Sequence, residues 1–415
     1  MRFLLFFCTM KKKPVYLFLF VALSAAIVYS CSKSTSTSTG PSTTTSPPVT
    51  PPVNTGVPPY SGGTTPLPNT VAKLDTLNVM AYNVLNFGDL CQGSVATLEG
   101  YLKTIVQYVQ PDLFSAEKMS AFDPTQPAPY NLAAEITNNG LNAVFPNKYG
   151  YCTPTNTSAD SKMSVLFYNK QKLTYVSTFN LYANVSDFDL YKLYYNDPNL
   201  AITHDTTYLY VVVNHTQSGS APNAVRDAQE AGEMAALRKR FAYFSNLIVM
   251  GDCNQHNTTE AGYQSIISAA DTTTQMSDPP FGVDKVFTYP ADWDNNPVPY
   301  GSYLTTSTRQ LSNYPNSCGT NGGASSWYDH IFISPFLIKG SNYMGYIPGS
   351  YLTIGNDGHR FNADINATTP VVNTSAPANV LNALFQLSNK YPITIKILVK
   401  ANRTGGSIPD PAERN

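Results

Sequence analysis

Residues 246–254 read NLIVMGDCN, and the rest of the chain is best understood outward from them. The apolar run from Asn246 to Met250 has the length and composition of a buried strand. Gly251 follows, a residue that lets the backbone turn sharply at the strand's end. Asp252 and Asn254 then stand two residues apart and point the same way at the rim of the sheet. Asp252 brings an acceptor with a full negative charge, and Asn254 a neutral amide that both donates and accepts. Such a pair can orient a water molecule and hold a phosphoryl oxygen side by side. A turn capped by Asp and Asn is the plainer meaning of the same residues. The weight therefore falls on what surrounds them.

Strand-like runs recur at 77–87, 162–169, 208–216, 327–334 and 393–400. Val95, Leu98, Leu102, Ile105, Val106 and Val109 share one helical face, which predicts a helix over 94–110. A second helix is expected over 223–244, directly before NLIVM, and a third over 378–387. Strands and helices alternate in part, so mixed sheets packed face to face with helices outside are expected. The segment 271–326 is rich in Pro, Asn, Ser and Gly and reads as long surface loops.

The N-terminus reads as an export signal rather than as part of the fold. Three lysines after Met10 precede an apolar run from Val15 to Val28, then Tyr29, Ser30 and Cys31. Residues 32–69 are almost entirely Ser, Thr, Pro, Gly, Asn and Val, a composition that cannot offset its ordering entropy and reads as a disordered tether. One domain is expected over 70–415. Without residues 1–31, which hold one Arg, three Lys and no acid, 22 basic groups face 27 acidic ones. The resulting net charge of −5 offers no overall basic footprint for duplex nucleic acid. Cys91, Cys152, Cys253 and Cys318 allow three disulfide pairings that sequence does not separate, and none has a zinc-site spacing.

Four further segments end strands with polar groups. LNVMAYNVLNF carries Asn83, PDLFSAEKM carries Glu117, VVVNHTQSG carries Asn214 and His215, and SSWYDHIFIS carries Asp329 and His330. The ordered set Asn, Glu, His, Gly-Asp-x-Asn, Asp resembles the endonuclease/exonuclease/phosphatase family, from about Leu77 to Lys400. The resemblance implies a four-layer α/β/β/α sandwich of the deoxyribonuclease I kind. It also implies hydrolysis of phosphodiesters or phosphomonoesters with a divalent metal, usually magnesium, with manganese as a substitute. Carried over by position, Glu117 and Asn83 would serve the metal. Asp252 would activate water, Asn254 and His215 would hold phosphate oxygens, and Asp329 would brace a second histidine. Cys31 at the cleavage point resembles a bacterial lipoprotein signal, which implies a lipid anchor in the cell envelope, at the outer membrane or cell surface.

The chain departs from the family's closing Ser-Asp-His. That slot reads SNKYPITIKILV, so Asn389 replaces the Asp and Lys390 the His. Asn389 removes a negative charge beside the expected cation. Lys390 can pair with phosphate but accepts a proton only if burial lowers its pKa by about three units. Asp357 and His359 in GNDGHRFN offer a substitute pair from a loop. Two functions follow: an impaired metal-dependent phosphoester hydrolase acting on nucleic acid, nucleotide or phospholipid headgroup, or a silent module of the same fold binding a phosphate-bearing ligand or a protein. The six retained polar groups favour the hydrolase, and the double replacement favours the binding module.

Overall fold

The computed structural model describes residues 73–311 and 318–404. The export signal with Cys31 and the tether over 32–69 lie outside the described residues.

Twelve strands form two sheets. They are β1 (Lys73–Phe87), β2 (Leu113–Ser120), β3 (Tyr149–Tyr151), β4 (Lys162–Asn169), β5 (Leu173–Asn184) and β6 (Ser186–Tyr195). β7 (Tyr208–His215), β8 (Leu247–Asp252), β9 (Asp329–Ile333), β10 (Met344–Tyr346), β11 (Leu352–Thr353) and β12 (Ile393–Ala401) follow. One sheet runs β10-β12-β1-β2-β4-β3, with β11 also on β12; the other runs β5-β6-β7-β8-β9. Each contains one parallel pair, β1 with β2 and β7 with β8, and every other pairing is antiparallel.

A parallel pair needs a crossover, and a helix supplies each one. Helix α1 (Val95–Val109) joins β1 to β2, and α2 (Ala224–Arg240) joins β7 to β8. Ser94 caps α1 by accepting from Thr97 N, and Leu98, Leu102, Ile105 and Val106 form its buried face. Asn223 caps α2, with Asp227 in its first turn and Arg238, Lys239 and Arg240 in its last, charges that suit the helix dipole. β1 and β2 lie against β7, β8 and β9, so the sheets pack face to face. Helix α3 (Ala261–Ile267) packs on α2, and α4 (Ala378–Leu387) packs on α1. The expected α/β/β/α layering is therefore present, with the two β-α-β units facing one another.

Strand β8 is buried along its whole length, as its unbroken apolar run requires. Gly251 has φ 139°, and a Cβ there would stand 2.0 Å from the carbonyl oxygen of Asn214. Only glycine allows β7 and β8 to approach at this point. Cys91 and Cys318 form the disulfide, with Cα atoms 6.0 Å apart, and Cys152 and Cys253 are buried free thiols.

The segment 271–326 departs from the surface loop expected of its composition. Phe281, Trp293 and Leu304 are buried in the core, and so are Thr305, Thr306, Ser307, Thr308 and Arg309. The approach to β12 bonds three of these polar residues. Thr308 Oγ1 donates to Ser388 O at 2.6 Å, Tyr391 N to Thr305 O at 2.8 Å, and Arg309 Nε to Phe385 O at 2.9 Å.

Candidate active site

The register of the strands gathers the polar groups. Asn83 is the cross-strand partner of Glu117, His215 of Asp252, and Asp252 of Asp329. β1 with β2 and β7 with β8 thus each present two candidate residues where their apolar runs end. The tail of the chain joins them: Ser388 Oγ donates to Asn83 O at 2.7 Å and accepts from Lys390 N at 3.1 Å.

Asp252 is the hub. Its Oδ2 accepts from Asn83 Nδ2 at 2.7 Å and lies 3.0 Å from Lys390 Nζ, while Oδ1 accepts from Asn254 N at 3.2 Å. Burial, the largest single influence, raises this carboxyl, but Lys390, His215 and the hydrogen bond from Asn83 together outweigh it, and Asp252 stays below the usual carboxylate range. Lys390 is 5% exposed, so its ammonium sits inside the cleft. It also lies 3.9 Å from Asp329 Oδ2 and 4.6 Å from the centre of the Tyr328 ring. Burial lowers Lys390, but the two carboxylates more than reverse this and keep it charged.

Asp329 is buried, and neither of its carboxylate oxygens has a hydrogen-bond partner. Burial, with Asp252 adding to it, pushes its pKa up to about 8 against the pull of Lys390. Where the resemblance implies a second histidine beside Asp329, the group that faces it is Lys390. Its neighbour His330 turns the other way, into a buried aromatic cluster. There it bonds Asp278 Oδ2 through Nδ1 at 3.0 Å and stacks on Trp327.

Glu117 is buried beside this group. Ser115 Oγ donates to its Oε1, while Oε2 has no partner. Burial raises its pKa well above the ordinary value, and the charges of Asp329 and Asp252 raise it further. Asn83 Oδ1 accepts from Leu85 N at 2.9 Å, so both ends of its amide are engaged within the protein.

Among the described residues no three His, Cys, Asp or Glu side chains are grouped to hold a metal. A hard cation that keeps its waters needs few protein ligands, and Glu117 Oε2 is an uncommitted buried oxygen for one. The donor set therefore fits a single-carboxylate anchor at Glu117, without the expected help from the engaged amide of Asn83.

His215 is half-buried, and among the described residues its ring has no hydrogen-bond partner. Burial holds its imidazole below the usual histidine value, so it is neutral at pH 7 and can donate one N–H. Asn254, at φ 49°, donates from Nδ2 to Thr216 O at 3.0 Å, which holds the turn after β8. Asn389 Nδ2 donates to Thr320 Oγ1 at 2.6 Å, and its Oδ1 is buried without a partner. Asp357 and His359 are not part of this group. Both carboxylate oxygens of Asp357 accept from the Arg360 guanidinium, at 2.8 and 3.0 Å, and His359 is exposed.

Sequence reasoning missed the groups that support the site from behind. Gln255 Nε2 donates to Glu230 Oε1 at 2.8 Å and Asn214 Nδ2 to Glu233 Oε2 at 2.9 Å. The buried side of α2 thereby braces the residues next to Asn254 and His215. Glu230 and Glu233 at polar positions of the inward α2 face were the available signal. Thr305 Oγ1, which accepts from Tyr328 N and Asp329 N at 3.0 and 3.2 Å, lay hidden in the loop-like segment.

No family model and no curated protein matches the chain. Solved structures do. An endonuclease/exonuclease/phosphatase family protein from Bacteroides thetaiotaomicron is 12% identical with TM-score 0.42, covering 79% of this chain and 99% of that one. TDP2 from D. rerio, complexed with single-strand DNA product, is 12% identical with TM-score 0.44, covering 78% and 98%. A mannosyl-6-phosphatase from B. thetaiotaomicron is 13% identical with TM-score 0.42, covering 77% and 99%. At these identities no residue role is carried across, and the roles stand on the geometry of this chain. The chain is similar, over most of its length, to solved structures that include a protein of the endonuclease/exonuclease/phosphatase family.

Proposed function

We propose that this chain is a slow phosphoester hydrolase whose site carries a built-in ammonium. One observation carries the reading: Lys390 points into the cleft, 3.0 Å from Asp252, and not out to solvent. A replacement in an abandoned site has no reason to be buried with two carboxylates at the cost of its hydration.

An arriving phosphoryl group offers Lys390 a further anion, and the ammonium can move from Asp252 toward it. That movement frees Asp252 Oδ2 to accept from a water poised for attack. His215 donates its N–H to a phosphoryl oxygen. Glu117 would hold a divalent cation through Oε2, and that cation would supply Lewis-acid polarisation of the ester. Lys390 stays protonated and is a poor proton donor to the leaving oxygen. The absence of a positioned acid costs about 10²–10⁴ in rate. The sequence adds the setting: an exported chain held at the cell envelope through Cys31 and the 32–69 tether.

The test is hydrolysis of bis(p-nitrophenyl) phosphate and p-nitrophenyl phosphate with magnesium or manganese. Turnover by the wild type that disappears in both Glu117→Ala and Asp252→Ala supports the hydrolase. Equal rates in all three proteins would sink it.

A second reading has its own observation. Both Asp252 oxygens are engaged, by Asn83, Lys390 and Asn254, which describes a settled network as well as a resting enzyme. A silent wild type that gains turnover on combining Asn389→Asp with Lys390→His would identify a binding module descended from a hydrolase.

A further inference from the structure

Beside the acid cluster lies a cavity of about 190 Å³, lined by Lys118, Lys162, His215, Ser186, Gln217 and Gln229 among others. It shares His215 with the cluster, and Lys118 directly follows Glu117. Drug-sized ligands occupy cavities of roughly 300–1,000 Å³, so this one suits a single small polar group with its water.

Its lining is cationic where it matters. Lys162 is paired with Asp89 at 2.8 Å, and Asp160 also lines the cavity. Lys118 is different: among the described residues it has no ion-pair or hydrogen-bond partner for its ammonium, although it is only partly exposed. Burial lowers its pKa, and the nearby charges of Lys390 and Lys162 lower it further against the pull of Asp252. Lys118, Lys162, Lys390 and His215 are thus gathered together, with Asp252 near Lys118, Lys390 and His215, and Asp89 paired with Lys162.

The backbone is bent to achieve this. Adjacent strand residues face opposite sides of a sheet, so Glu117 and Lys118 would ordinarily diverge. Lys118 instead has φ 62°, and the β2–β4 register shifts between Ala116 and Met119. A bulge of this kind re-aims a side chain. A non-glycine residue held at positive φ is strained and persists where the surroundings enforce it. The bulge sends Glu117 into the acid cluster and lets Lys118 reach the cavity next door.

We propose that this cavity is a second oxyanion seat, in which Lys118 and Lys162 bind a phosphate- or sulfate-sized group, with His215 on the wall it shares with the acid cluster. The ligand class is a small molecule carrying such a group besides the ester at the acid cluster, rather than a long polymer. The proposal goes beyond the hydrolase reading and does not need turnover.

The experiment is isothermal titration of the full chain with inorganic phosphate and, separately, with sulfate. Lys118→Gly tolerates the positive φ and removes the whole side chain with its ammonium, so a loss of binding does not come from backbone strain. Lys118→Arg keeps the charge, and Lys162→Met tests the second ammonium. We expect one phosphate site that is about tenfold weaker in Lys118→Gly, the loss of one charged hydrogen bond, and weaker in Lys162→Met. Lys118→Arg should bind within a few-fold of wild type. Binding of both anions supports a general oxyanion seat, and binding of phosphate alone supports a phosphate seat. No saturable binding of either anion, or binding unchanged in Lys118→Gly and Lys162→Met, overturns the proposal. A chain that binds phosphate here but hydrolyses no ester would lose the hydrolase reading and keep this one.

Discussion

Ser388 Oγ donates to the carbonyl oxygen of Asn83 at 2.7 Å, across 305 positions of sequence. The bond ties the approach to the last strand onto the first strand, at the place where both contribute to the site. Ser388→Ala leaves a buried carbonyl without this donor, and the expected loss is about 1–3 kcal/mol. Urea unfolding measures it, and an unchanged midpoint would show that the bond is not maintained in solution.

Lys390→Met removes the cation that faces Asp252 and leaves a buried carboxylate uncompensated. The expected cost is about 3–5 kcal/mol at neutral pH. Against burial, Lys390 leads the groups that together hold the folded-state pKa of Asp252 below its unfolded value. The stability from that pairing is present above pH about 3.9, the unfolded value, and is lost as pH falls through the folded one. The difference between wild type and variant should therefore shrink in acid. A difference that is flat from neutral pH to about pH 3 would contradict the pairing.

Asp329 carries the opposite sign. Its folded pKa is raised to about 8, so the stability linked to its neutral form is complete below the unfolded value and is lost as pH rises through about 8. Asp329→Asn keeps the shape without the titration. Unfolding midpoints of the variant should gain on wild type between about pH 4 and pH 8. Parallel curves would mean that Asp329 titrates as an ordinary carboxyl.

If Lys390 is a poor proton donor, the rate should depend steeply on the leaving group. Nitrophenyl esters, whose leaving oxygens need no proton, should react, and alkyl phosphates should lag by about 10²–10⁴ beyond their intrinsic difference. A series of aryl and alkyl esters compared with Lys390→His resolves this. A slope no steeper in wild type than in the variant would assign the acid to another group.

Reduction of the Cys91–Cys318 disulfide should cost about 2–5 kcal/mol, since it closes a loop of 227 residues. Cys152 and Cys253 are buried, and burial raises both thiols well above their usual values. Neither should react with iodoacetamide until the chain unfolds. Peptide mapping after labelling reads both directly, and native labelling of Cys253 would show that the site opens.

The sequence made Asn83, Glu117, Asp252 and Asp329 visible because each interrupts or ends an apolar strand, where a polar side chain needs a reason. The helices over 95–109, 224–240 and 378–387 stand close to the ranges expected of them, the first from its apolar spacing. Lys118 was not visible, because strand alternation sends it away from Glu117, and nothing in the letters announces φ 62°. Thr305 was hidden by composition: a segment rich in Pro, Asn and Ser reads as surface unless its hydrogen-bond partners are known. The replacement of the family's histidine by Lys390 was readable from order alone. Its pairing with Asp252 needed the three-dimensional register of β8 against the approach to β12.

β12 pairs with β1, so the strand made last lies beside the strand made first. During synthesis Asp252 and Asp329 emerge long before Lys390, the ammonium that faces both of them in the folded chain. The site is therefore complete only once the approach to β12 has docked, and a chain halted before residue 390 lacks the cation at its hub.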